Sequence, residues 1–133
     1  MKSNALFWGP VLLFSLTIGK VGAAETDQGR QIYIQYCASC HGKDGRGNGP
    51  VSPYLKINPP DLTLLKKKNQ GIYPMPKVMS AIDGSRTVRA HGDGEMPVWG
   101  EIFRKEAEST KYTELTTLLK IKIIAEYIAT IQR

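Results

Sequence analysis

Residues 36–50 read YCASCHGKDGRGNGP and hold both cysteines of the 133-residue chain, Cys37 and Cys40, with His41 directly after the second. Two thiols and an imidazole this close admit four chemistries. A CxxC thiol redox switch expects a strand–helix–strand setting, and no strand-like alternation precedes Cys37. A zinc site needs four ligands. The only other histidine is His91, no second CxxC is present, and adjacent Cys40 and His41 are awkward partners on one tetrahedral ion. A disulfide across two residues would close a very small loop and gain little entropy. Covalent haem needs this spacing: CxxCH offers one thiol to each of two vinyl groups and aims the next side chain at the iron. Of the four, haem attachment fits best.

Iron in a low-spin electron carrier takes a sixth ligand, and methionine sulfur raises the potential where histidine lowers it. Three methionines lie beyond the N-terminal segment. Met79 sits in PKVMSAI beside Val78 and Ile82, which suits a core filler. Met75 and Met96 each precede a proline, so the dipeptide does not separate them. Met96 lies in HGDGEMPVWG, a glycine-bearing loop able to lie against a flat ring, and Pro97 biases it to an extended backbone. His91 is the bis-histidine alternative.

These side chains need elements to hold them. Residues 26–40 predict a helix with Thr26 or Asp27 as cap, and Ile32, Tyr33 and Tyr36 on one face. Residues 41–60 carry glycines at 42, 45, 47 and 49 and prolines at 50, 53, 59 and 60, which predicts loop. DLTLLKKKN starts a short helix at Asp61. PKVMSAI predicts another, with Pro76 in its first position and Gly84 ending it. Residues 83–100 are expected to be loop again. TELTTLLKIKIIAEYIATIQ lacks Gly and Pro. Its Leu115, Leu118, Leu119, Ile121, Ile124, Ile128 and Ile131 form a broad apolar stripe, with Tyr127 beside it, predicting a C-terminal helix of about 18 residues. The class is small all-α with long loops. Such loops need an organiser such as a large apolar cofactor.

The first 24 residues have Lys2, then an uncharged run from Ser3 to Gly19, then Gly22, Ala23 and Ala24. That is the pattern of a secretory signal peptide cut after Ala24. The run is short for a membrane span of ~20 apolar residues and is broken by Trp8, Gly9 and Pro10. An uncleaved anchor is the alternative. The expected domain is 25–133. Its mild basicity, within a chain of 18 Lys+Arg against 12 Asp+Glu, suits an acidic protein surface. No aromatic-interleaved basic stripe points to nucleic acid. Lys66, Lys67 and Lys68 are the one charge run, either a solvated helix end or a docking patch.

CASCHGKDGRGNGP together with HGDGEMPVWG resembles the class I c-type cytochromes, in particular the small exported bacterial monohaem proteins, over nearly all of 25–133. The resemblance implies a cytochrome c-like fold of four to five helices wrapped round one covalent haem c. It implies single-electron transfer between redox protein partners in the periplasm, or at the membrane if the N-terminal segment stays. No small-molecule substrate and no enzymatic step follow from it. It implies Cys37 and Cys40 as attachment points, His41 and Met96 as iron ligands, and the carbonyl of a Gly-Pro turn on the His41 Nδ1–H. Gly49-Pro50 matches that turn, with Pro53 as alternative. Arg86, Arg89, His91 and the Trp99 indole are candidate donors to the haem propionates. Two alternatives stay open: a haem subunit of a larger dehydrogenase or oxidase, and a gas- or peroxide-reactive protein with a dissociable Met96.

Overall fold

The computed structural model describes residues 21–85 and 96–133. Its elements in chain order are α1 (Val21–Tyr36), α2 (Ala38–His41), α3 (Leu65–Lys68), α4 (Met75–Asp83), α5 (Trp99–Glu106) and α6 (Thr113–Thr130). Two 3₁₀ turns, Ser52–Tyr54 and Leu62–Leu64, lie in the loops. The described residues contain no strand, so the all-α cytochrome c-like expectation holds. The four helices that the sequence pattern shows become six among the described residues, because Cys37 divides the first into α1 and the single turn α2 and because the pattern does not show α5.

The core forms where α1 crosses α6, with α4 and α5 packed on α6 and on each other. Tyr33, Phe103 and Ile124 are fully buried there. The crossing is close because α1 carries Gly29 at the contact. A Cβ on Gly29 would stand 2.7 Å from the Ile123 carbonyl oxygen. Above it the Tyr33 and Tyr127 rings meet at 5.2 Å between centroids.

Several local signals hold. Asp61 caps the turn it precedes by accepting from the Thr63 N–H at 2.9 Å. Pro76 lies in the first turn of α4, and Gly84 closes that helix with φ +79°. The C-terminal helix has 18 residues, as its composition predicted.

Three expectations change. Neither Thr26 nor Asp27 caps α1, since both lie inside a helix already formed at Val21; Asp27 instead accepts from the Gln31 amide one turn on. Trp99 and Gly100, expected as loop, are the first residues of a helix that runs to Glu106 and that the sequence pattern does not show. No side-chain cap marks the start of α5; Phe103 instead anchors it against Tyr36, with ring centroids 5.1 Å apart. The buried residues of α6 are Thr117, Ile121, Ile124, Ala125, Tyr127 and Ile128, which recur mostly at three- and four-residue spacing. Leu115, Leu118 and Leu119 are not among them and are about half exposed, at 54%, 52% and 47%.

Candidate functional site

Cys37 is the joint between α1 and α2. Its N–H donates to the Tyr33 carbonyl at 2.8 Å, and its carbonyl accepts from Cys40 N–H at 3.2 Å and His41 N–H at 2.9 Å. One tight turn therefore carries both thiols and the imidazole. It is braced from below by the buried Tyr33 hydroxyl, which donates to the Gly42 carbonyl at 2.8 Å. Burial and the neighbouring Cys37 and Tyr127 raise the Tyr33 pKa, so the phenol keeps its proton.

Cys37, Cys40 and His41 line one cleft, together with Tyr36, Leu55, Pro59, Met96 and Trp99. The cleft is narrow, with about 50 Å³ of free space. Trp99 stands at the start of α5 with its ring 5.4 Å from Tyr36 and 5.9 Å from Phe103. Its wall is aromatic and apolar, which suits a large flat apolar group.

The two thiols are free rather than joined as a disulfide. Burial, and then the neighbouring Cys40, push the Cys37 thiol up to about 12. A thiol redox centre needs the opposite shift, toward thiolate. Among the described residues no group of three or more His, Cys, Asp or Glu is placed to hold a metal ion by itself. Neither the thiol-switch nor the zinc arrangement is therefore built here.

His41 is 8% exposed, and its Nδ1 lies 3.4 Å from the Pro60 carbonyl oxygen. This corrects the expectation of Pro50. Gly49 N–H donates to Cys40 O at 3.1 Å and Val51 N–H to Ser39 O at 2.9 Å. Those bonds lay the Gly49-Pro50 turn along the backbone of α2, with Pro50 exposed. Pro53 is also exposed, in the Ser52–Tyr54 turn. The chain returns to the ring only at Pro60. The sequence does hold a signal for this, the pair Pro59-Pro60 before the capping Asp61, but by itself it reads as loop punctuation.

Met96 is half-buried on the cleft wall. Met75 and Met79 belong to α4 and pack against the core cluster, as a core role for Met79 requires. Trp99 lines the cleft. Arg86, Arg89 and His91 lie outside the described residues. Tyr36, Leu55 and Pro60 are site residues that the sequence did not single out.

Residues 24–110 match the family described as Cytochrome C oxidase, cbb3-type, subunit III. The chain belongs to that family. The match spans the CxxCH turn, the Pro60 segment and Met96, and it ends before α6. No curated protein and no solved structure matches the chain significantly. As a member of this cytochrome family the chain is a c-type cytochrome domain with covalent haem c, and its role is electron transfer. The residues present fit that group: Cys37 and Cys40 are unpaired, sit on one turn and open onto the cleft with His41. The haem supplies the redox centre, an iron that takes up and gives up one electron. The chain supplies the two thiols and the imidazole of the CxxCH turn and a largely apolar surround.

Proposed function

We propose that the chain is an exported monohaem electron carrier in which Cys37 and Cys40 hold the haem and His41 and Met96 ligate its iron. The observation that carries this is convergence. Met96 lines the same cleft as the Cys37–His41 turn although it lies far along the chain. With a proton on Nδ1 facing Pro60 O, His41 keeps its Nε2 lone pair for the metal. A neutral thioether opposite it raises the potential relative to a second histidine. Exposed Tyr54, Ile57 and Val98 border the cleft residues and support docking of a redox protein there. Lys66, Lys67 and Lys68 are exposed at α3, which supports an acidic partner. Residues 1–24 act as the export signal, placing the domain in the periplasm; if kept, they tether it to the membrane. No helix among the described residues is long and apolar enough to cross a membrane. The protein performs no bond-making step of its own.

The test is the visible spectrum of oxidised and reduced protein made with the haem-attachment machinery. Wild type is expected to keep haem on a denaturing gel and to show the weak far-red sulfur-to-iron band when oxidised. Met96→Ala is expected to keep the haem and lose the band. A band that survives the substitution overturns Met96 as ligand.

A second reading, a subunit of a larger oxidase, is favoured by the family description and by the exposed Leu115, Leu118 and Leu119 on α6. Salt-sensitive electron exchange by an isolated monomer would speak against it.

A further inference from the structure

Beyond α6 the chain reaches back to the segment that faces His41. Gln132 Nε2 donates to the Leu62 carbonyl at 2.7 Å, and Gln132 Oε1 accepts from the Lys66 N–H at 2.8 Å. Arg133 donates three times: its N–H to Thr63 O at 3.0 Å, its Nε to Thr63 Oγ1 at 2.7 Å, and its Nη2 to Asp61 Oδ2 at 2.8 Å. The other Asp61 oxygen accepts from the Thr63 N–H and hydroxyl. Thr63 is buried at the centre of this knot.

The knot begins one residue after Pro60. Pro59 and Pro60 have no N–H to donate, so they cannot anchor themselves through one. Their placement comes from both sides. Gly47, at φ +79°, lets its backbone lie so close to the Pro59 carbonyl oxygen that a Cβ there would stand 2.2 Å from it. Leu62 N–H donates to Gly45 O at 2.7 Å. On the far side stands the Asp61–Thr63–Arg133 network. At 3.4 Å the Pro60 contact with His41 is just beyond the usual N–H···O range of about 2.7–3.2 Å. Its strength is therefore sensitive to small displacements of the carbonyl.

We propose that Asp61 and Arg133 form a clamp that positions the Pro60 carbonyl against His41 and thereby tunes the reduction potential of the iron. This rests on the reading of His41 as an iron ligand. A carbonyl on the Nδ1–H makes the imidazole a stronger electron donor. A stronger donor favours the oxidised iron and lowers the potential. Loosening the clamp weakens that bond and raises it. Asp61 and Arg133 do not line the cleft; they act through Pro60.

The experiment uses the full chain with haem attached. Midpoint potential and the solvent-exchange rate of the His41 Nδ1–H are measured for wild type, Arg133→Ala, Arg133→Lys, Asp61→Asn and Ile124→Val. The last loosens the core away from the clamp. Arg133→Ala is expected to raise the potential and speed ring N–H exchange about tenfold, as for loss of a hydrogen bond. Asp61→Asn shifts both in the same direction, Arg133→Lys recovers part of the change, and Ile124→Val moves neither. If Arg133→Ala fails to retain haem, Asp61→Asn decides by the same two readings. The clamp is overturned if both clamp variants lower the unfolding midpoint but leave potential and exchange at wild-type values. It is equally overturned if Ile124→Val shifts them as much. If His41 shows no iron-shifted resonances in wild type, the ligand reading itself fails. Iron-shifted His41 signals that ignore both clamp variants sink the clamp alone.

Discussion

The CxxCH turn works because one residue, Tyr33, fixes its exit. The hydroxyl is buried and bonded to the Gly42 carbonyl, itself in a buried position. Tyr33→Phe removes the donor and leaves that carbonyl without it. The expected cost is about 1 kcal/mol, read as a lower denaturant midpoint with unchanged slope. An unchanged midpoint would mean that the turn is held by its backbone bonds alone. The turn was legible because Cys37, Cys40 and His41 lie within five residues of chain. The partner of His41 was not. Pro50, Pro53 and Pro60 look alike in a loop sequence, and only the path of the chain decides which carbonyl meets the ring.

Among the elements, α6 separates composition from packing. Its leucines and isoleucines read as one broad stripe, yet the structure splits them into a buried arc and an exposed one. Ile121→Ala is expected to cost about 2–5 kcal/mol, since it opens a cavity. Leu118→Ser should stay within about 0.5 kcal/mol. Chemical denaturation of the two variants tests the assignment, and comparable losses would refute it. Helix α5 is joined to α6 and α1 by Lys120, which pairs with Glu106 and lies over the Tyr36 and Phe103 rings at 4.9 and 4.5 Å. The hydrogen bond from Lys120 holds the Glu106 pKa below its ordinary value, and that from Tyr36 adds to it. A depressed carboxylate contributes stability above its unfolded pKa of about 4.3 and loses it as pH falls through the folded value. Glu106→Gln is thus expected to destabilise by less than about 1 kcal/mol at pH 7, because the pair is partly exposed. The difference from wild type should shrink as pH falls below the ordinary carboxylate range. A deficit that persists in acid would assign the effect to packing instead.

At the scale of the molecule, the loops that looked too long for so small a chain are organised around the cleft. Leu55 and Pro59 come from one loop, and Met96 precedes α5. Long loop walls of this kind rely on what they enclose. The double variant Cys37→Ser, Cys40→Ser, which cannot attach haem covalently, is expected to keep much of its helical circular dichroism. It should lose its sharp thermal transition and near-ultraviolet signal. A cooperative transition as high as that of the wild type would show that the helices alone carry the fold.

The sequence by itself determined the all-α class, the tight CxxCH turn and the span of the C-terminal helix. Each of these depends on spacing within a few turns of chain. Residues as near as Cys37, Cys40 and His41, or Pro76 and Gly84, specify their geometry locally. The tertiary structure alone decided which face of α6 is buried, that Trp99–Glu106 is a helix, and that Pro60 rather than Pro50 meets His41. It also brought Arg133 onto Asp61. Those outcomes depend on how distant segments approach one another. Close approach at Gly29 and Gly47 and the directional hydrogen bonds of Gln132 and Arg133 set them, and no local pattern encodes such encounters.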